Sequence, residues 1–236
     1  MRKLSVVIPA YNEERYIAAL VGKVLAVDLT VFGMTTEVIV VDDGSSDRTA
    51  EIVSGIAGVT LHRLERNSGK GAAVRAGIAR ACGDWVMIQD ADLEYEPADY
   101  IPMVEELLRS GADAVYGSRY LARSGSRTRV PKHAGQSWGA YLGGRSLSLI
   151  QWWFTGQYLT DTVTALKLFR APVIKPLELL TSGFELDHEI TAKILGRGNT
   201  IREVPIRYYP RSREEGKKIG ARDWFIAVRT YARYSK

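Results

Sequence analysis

Leu4-Ser5-Val6-Val7-Ile8-Pro9-Ala10-Tyr11-Asn12-Glu13 passes from a short apolar run into a polar turn. A strand covered on both faces reads as such a run. Pro9 closes it, Asn12 is a good helix N-cap, and Ile17, Leu20, Val21, Val24 and Leu25 then repeat at helical spacing. The same unit recurs downstream. Residues 37–41 form a β-branched run, followed by Gly44-Ser45-Ser46-Asp47 and a predicted helix over 47–54. Residues 59–64 read as a third strand. Ser68-Gly69-Lys70-Gly71 then opens a helix to Cys82 that Gly83 closes. Residues 85–89 are a fourth strand, 97–109 a helix with proline in its first turn, and 112–117 a fifth strand. Strands alternating with helices predict βαβ units, hence an α/β chain with a mainly parallel sheet.

Ligands of open parallel sheets bind at the carboxyl ends of the strands. Four polar clusters fall there: Pro9 to Glu13, Asp42-Asp43-Gly44, Gln89-Asp90-Ala91-Asp92 and Gly117-Ser118-Arg119. Their convergence on one edge is the strongest physical sign of a site.

After Arg119 the pattern loosens. A Gly/Ser/Arg loop at 122–130 leads to an amphipathic segment over 133–158 that contains Trp152-Trp153-Phe154. A short strand at 165–169, a helix at 185–195, a strand at 200–208 and a helix at 222–234 follow. Pro205 puts the 200–208 strand at a sheet edge. With no repeat or low-complexity linker, residues 1–236 read as one domain.

Bulk properties narrow the function. The chain has 236 residues, 46% apolar and 25% charged, a soluble globular balance. One cysteine, Cys82, excludes a disulfide framework and fits a reducing compartment. The start reads without a leader peptide, and no apolar stretch is long enough to span a bilayer. The expected location is therefore cytoplasmic, free or against the cytoplasmic face of a membrane. Of the net charge of +5, the last thirty residues hold nine Lys/Arg against three Asp/Glu. Residues 120–145 add Arg123, Arg127, Arg129, Lys132 and Arg145 with no acid. Such stretches suit phosphates or anionic headgroups. No recognition motif for nucleic acid accompanies them, so none is expected as a partner.

Asp90-Ala91-Asp92-Leu93-Glu94 carries the chemistry. If strand alternation continues past residue 89, Asp90, Asp92 and Glu94 face one side. Their oxygens suit Mg²⁺ or Mn²⁺ completed by diphosphate oxygens, and a solvated acidic turn is the competing reading. Ser68-Gly69-Lys70-Gly71 lacks the full spacing of a phosphate loop and reads as a helix-capping segment in close contact with the sheet.

In order along the chain, Val6 to Glu14, Val41 to Asp47, Asn67 to Gly71 and Asp90-Ala91-Asp92 resemble the inverting family-two glycosyltransferases of the GT-A fold. Gly117 to Tyr120, Asp161 to Arg170 and Glu203 to Ile206 narrow the resemblance to the dolichyl- and polyprenyl-phosphate branch, the dolichol-phosphate mannose synthase type. It covers almost the whole chain. It implies a single Rossmann-like sheet flanked by helices with a C-terminal extension toward the acceptor. Residues 1–120 would bind a nucleotide sugar, and 121–236 would face acceptor and membrane.

By the same resemblance, Pro9, Tyr11, Glu13, Asp42 and Asp43 hold the nucleoside. Asp90, Asp92 and Glu94 serve the metal, with Glu94 standing where the family commonly has Gln. Arg119, with Arg211 and Lys217 of a mobile loop, would stabilise the departing diphosphate beside Asp92 and its Mg²⁺ or Mn²⁺. The implied acceptor is a polyprenyl or dolichyl phosphate, reached by peripheral membrane contact or through a membrane-anchored partner subunit. A phosphate acceptor needs no general base, so His62, His133 and His188 read as structural. An acceptor hydroxyl would need one, with Asp187 or Asp161 in that role. A non-catalytic nucleotide-sugar-binding subunit is the third reading.

Overall fold

The structure, a computed structural model, describes residues 2–121, 138–210 and 221–235. β1 (Arg2–Ala10) leads through a turn to α1 (Ile17–Leu25), then β2 (Met34–Asp42), α2 (Thr49–Ser54), β3 (Val59–Arg63), α3 (Lys70–Arg80) and β4 (Trp85–Ile88). α4 (Tyr100–Ser110), β5 (Ala114–Ser118) and α5 (Trp138–Thr155) follow. The chain continues with β6 (Lys167–Arg170), α6 (Ala171–Ile174), α7 (Leu186–Gly196), β7 (Ile201–Pro205) and α8 (Ala221–Tyr234). The predicted strands and helices are thus present, with shifted ends. The Asn12 cap is a correction: Tyr16 occupies the N-cap of α1. Asn12 sits at φ 56°, and its side-chain oxygen accepts the Ser46 amide at 2.9 Å. It ties two loops together instead of starting a helix.

One seven-stranded sheet runs in the order β3-β2-β1-β4-β6-β5-β7. β3, β2, β1 and β4 are mutually parallel, and β5 is parallel to β7. β6 is antiparallel to both β4 and β5, which therefore point the same way. The mainly parallel expectation holds, with one reversed strand. β7 pairs with β5 alone, so Pro205 ends an edge strand.

The strands alternate between two cores with period two. Leu4, Val6, Ile8, Val38, Val40, Trp85 and Met87 pack on α1 and α4 through Leu20, Val24, Met103 and Leu107. Val7, Ile39, Val41, Val86 and Ile88 face α3 and α7 through Val74, Ile78, Ile190 and Ile194. Both faces are covered, which is why these strands read as continuous apolar runs. A Cβ on Gly77 would overlap Val7, so that glycine seats α3 tightly on the sheet. α8 packs on α7 and α5.

Candidate active site

The carboxyl ends of β1, β2, β4 and β5 open on one edge, and the segment entering antiparallel β6 arrives at that edge too. β1 and β4 part there. Their pairing stops at Val7–Ile88, with the Gln89 amide reaching back to the Val7 carbonyl at 3.0 Å. Pro9 has no N–H to extend it. All four polar clusters predicted to converge lie at the carboxyl ends of β1, β2, β4 and β5, on this one edge.

On the β1–β2 side, Pro9 is buried in register with Val41, while Tyr11 is 42% exposed beyond it. The Asn12 amide donates to Ser45 Oγ at 2.9 Å and the Glu13 amide to Thr49 Oγ1 at 2.8 Å. Asp42 is fully buried, with Arg63 Nε 3.1 Å from Oδ2. Asp43 accepts the Ser68 and Gly69 amides, each at 2.8 Å. This carboxylate holds the glycine loop in place, a role that no motif marks.

The amides of that loop are committed within the protein, those of Ser68 and Gly69 to the Asp43 carboxylate. The Gly71 amide donates to the Ser182 carbonyl at 2.7 Å, and Ala72 donates to the same oxygen at 3.3 Å. A Cβ on Gly71 would come within 2.7 Å of the Thr181 carbonyl. The glycines therefore allow close backbone approach at the start of α3. Gly69 occupies the N-cap of α3 without a side-chain cap bond, so the Ser182 carbonyl does the capping, and the close contact is with residues 181–183 and not with the sheet. Glu189 fixes that partner segment, accepting the Leu180 and Thr181 amides at 2.9 and 2.8 Å.

The Asp90–Glu94 turn departs from the extended geometry that would align three carboxylates. β4 ends at Ile88, and Leu93 takes φ 58°. Among the described residues no cluster of three or more His, Cys, Asp or Glu side chains suited to a metal forms. Asp90 is instead 2.7 Å from Lys70 Nζ. Asp92 Oδ1 accepts the Glu94 amide at 3.1 Å, and Glu94 Oε2 accepts the Tyr208 hydroxyl at 2.9 Å. The donor set is nevertheless all oxygen. Mg²⁺ characteristically takes only one or two carboxylates and leaves its remaining positions to phosphates and water.

Arg119 leaves β5 and meets Asp161 in a two-pronged pair, Nε–Oδ2 2.7 Å and Nη2–Oδ1 2.8 Å. Its guanidinium lies 4.9 Å from the Tyr208 ring centroid. Burial works against ionised Asp161, but Arg119 outweighs it and lowers the pKa. Glu203 of β7 orients this pair from behind, accepting the Thr160 and Asp161 amides at 2.7 and 2.9 Å. Asp187, at the start of α7, contacts Lys167 Nζ at 2.5 Å and Lys70 Nζ at 3.4 Å. Burial would raise its pKa, yet the two lysines pull it down to about 2.

Lys167, Tyr208 and Glu203 were not assigned site roles from sequence. Lys167 did carry a signal, a lone charge inside the apolar run Ala165-Leu166-Lys167-Leu168-Phe169. Arg211 and Lys217 lie outside the described residues.

A family model described as Glycosyl transferase family 2 matches residues 5–171. The chain is 33% identical over 223 residues to the dolichol-phosphate mannosyltransferase of Pyrococcus furiosus, an alignment covering 92% of this chain and 60% of that one. It is 35% identical over 218 residues to the dodecaprenyl-phosphate galacturonate synthase of Rhizobium johnstonii, covering 89% and 60%. The chain thus spans 60% of the length of these two relatives. Among solved structures, the UDP complex of glucosyl-3-phosphoglycerate synthase from Mycobacterium tuberculosis has a TM-score of 0.72 at 19% identity, covering 99% of this chain and 80% of that one. The complex of that synthase with Mn²⁺, UDP-glucose and phosphoglyceric acid scores 0.71 at 21% identity, covering 98% and 80%. The likeness bears out the expected GT-A fold.

Proposed function

Because the chain belongs to glycosyl transferase family 2, we propose that it transfers a hexose, with inversion, from a GDP- or UDP-sugar to a polyprenyl or dolichyl phosphate. Residues 1–120 form the donor half in this reading, and 121–236 face the acceptor. The relatives named for dolichol-phosphate and dodecaprenyl-phosphate products support the acceptor class.

One observation carries the choice of a phosphate acceptor over a hydroxyl. Both carboxylates that would serve as a general base are committed to cations. Asp187 is held by Lys167 and Lys70 with a pKa of about 2, and Asp161 is locked to Arg119. A general base works best with a pKa near the working pH, and these lie far below it. A phosphate monoester has a second pKa of roughly 6 and reaches neutral pH as a nucleophile without help.

The donor set of the acidic turn fits Mg²⁺ or Mn²⁺. Asp92 and Glu94 would be its ligands, with Asp90 beside them, and the ion would supply charge neutralisation for the diphosphate. Pro9, Tyr11, Glu13, Asp42 and Asp43 line the edge assigned to the nucleoside. Arg119 gives Nε and Nη2 to Asp161, and in this reading its Nη1 would reach the donor phosphate. Arg211 and Lys217 would add two further cations around the leaving diphosphate; losing either should cost about 10²–10³ in kcat.

Membrane contact is the companion proposal. Among the described residues no helix is long and apolar enough to cross a bilayer. α5 exposes Leu142, Leu149, Trp152 and Trp153, the last 84% accessible. Exposed aromatics and nearby Lys/Arg favour the headgroup boundary on the cytoplasmic side, with a membrane-anchored subunit as the other occupant of that face.

A thermal-shift screen of UDP- and GDP-sugars with and without Mn²⁺ tests the donor assignment. A donor at 100 times its Kd stabilises the fold by about 2.7 kcal/mol. That shift should require Mn²⁺ or Mg²⁺ in the wild type. The absence of any response to nucleotide sugars would sink the proposal.

A further inference from the structure

The glycines of Ser68-Gly69-Lys70-Gly71 are explained by backbone packing, but Lys70 is not. Its Nζ lies 2.7 Å from Asp90 Oδ1, 3.4 Å from Asp187 Oδ2 and 5.7 Å from the Phe184 ring centroid. The side chain is only 15% exposed. Asp187 has a second and closer cation, fully buried Lys167, at 2.5 Å. For Asp90, Lys70 is the cation its carboxylate meets among the described residues. Asp90, Lys70, Asp187 and Lys167 thus form a chain of alternating sign that joins the acidic turn to α3, α7 and β6.

We propose that Lys70 is a positioning residue for the acidic turn, holding the Asp90 carboxylate and cancelling its charge beside the metal ligands. The inference rests on the metal reading of that turn. Asp90, Asp92 and Glu94 lie within five residues. Three uncompensated carboxylates would grip a divalent cation strongly and repel the diphosphate that must bind with it. An ammonium in contact with Asp90 weakens both effects. It also keeps Asp90 from closing on the ion, leaving Asp92 and Glu94 as the ligands and the other positions to donor oxygens and water.

The sign of the consequence is specific. Removing the ammonium should tighten the binding of metal alone by about tenfold, since a unit charge about 6 Å from a divalent ion is worth roughly that factor at the dielectric of water. A lysine that served only the fold would leave metal affinity unchanged, or weaken it as the turn loosened.

The test is a titration with Mn²⁺ alone, reading free Mn²⁺ by electron paramagnetic resonance in wild type, Lys70→Met, Lys70→Arg and Asp92→Ala, with melting curves for each. Lys70→Met should bind Mn²⁺ about tenfold more tightly, Lys70→Arg should stay near wild type, and Asp92→Ala should lose binding. Should Lys70→Met not fold, Lys70→Gln, which keeps a hydrogen-bond donor without the charge, gives the same comparison. Unchanged or weaker Mn²⁺ affinity in the neutral variant, with Asp92→Ala still losing binding, would overturn the role of Lys70 alone. Wild-type Mn²⁺ binding by Asp92→Ala would overturn the metal reading itself, and the role of Lys70 with it.

Discussion

Arg119 and Asp161, forty-two positions apart, form a two-pronged ion pair at 2.7 and 2.8 Å with the Asp161 side chain fully buried. Removing one member of a buried pair typically costs about 3–5 kcal/mol, because the other charge is left without compensation. The two deletions should not be equal. Arg119→Ala strands a carboxylate with no access to water, whereas Asp161→Ala leaves a guanidinium that is 14% exposed and already stacked near Tyr208. Denaturant unfolding should therefore find Arg119→Ala the more destabilised. Equal or reversed losses would show that Arg119 does not compensate Asp161.

The glycine loop gives a second prediction. Gly69 has φ 94°, and a Cβ there would overlap the Ser182 carbonyl. Gly69→Ala combines an unfavourable backbone region with a backbone clash, so it should destabilise by more than about 1 kcal/mol. Its melting temperature should fall while nucleotide binding at low temperature survives. A phosphate cradle would show the opposite, a stable fold with donor binding lost.

The pattern of legibility has a physical basis. Apolar runs and helical spacing report burial, so β1 to β5 and their helices could be read from sequence, as could the edge position of Pro205. Periodicity carries no direction, and so the reversal of β6 between β4 and β5 could not be read. Nor could the left-handed φ of Leu93, which breaks the alternation expected to align Asp90, Asp92 and Glu94. The site edge was legible because strand ends mark it. The pairings of Asp43 with Ser68 and Gly69, Lys70 with Asp90, and Arg119 with Asp161 span 20 to 42 positions and depend on tertiary packing.

His188 supplies a pH prediction. Burial lowers its pKa from 6.5 to about 4, with Asp187 opposing, and its Nδ1 lies 3.1 Å from the Tyr231 hydroxyl. Between those values the unfolded chain binds the proton more readily, so stability rises with pH across that window. Acidifying from pH 7 to 4 should therefore cost about 3 kcal/mol through this group. Asp187 acts lower, between 3.8 and about 2, where protonation removes the stability of its ionised form. His188→Gln should flatten the upper window and leave the lower one. An unchanged slope between pH 7 and 4 would assign the acid sensitivity elsewhere.

Trp152 and Trp153 are 50% and 84% exposed on α5. Changing both to Ala should shift unfolding by no more than about 0.5 kcal/mol for each side chain, the usual scale for surface positions. The wild type should co-sediment with anionic vesicles and release as salt rises, and the double variant should sediment less while binding nucleotide normally. Wild-type sedimentation by the double variant would move the contact to another surface.

The central claim is metal-dependent sugar transfer to a lipid phosphate, with Asp92 at the metal. Its most direct test supplies polyprenyl phosphate and radiolabelled UDP- and GDP-sugars to the purified protein and extracts the lipid phase. Labelled lipid should form with Mn²⁺ or Mg²⁺, and disappear in EDTA and in a folded Asp92→Ala variant. Label reaching the lipid in EDTA, or at wild-type rate in Asp92→Ala, would contradict the account.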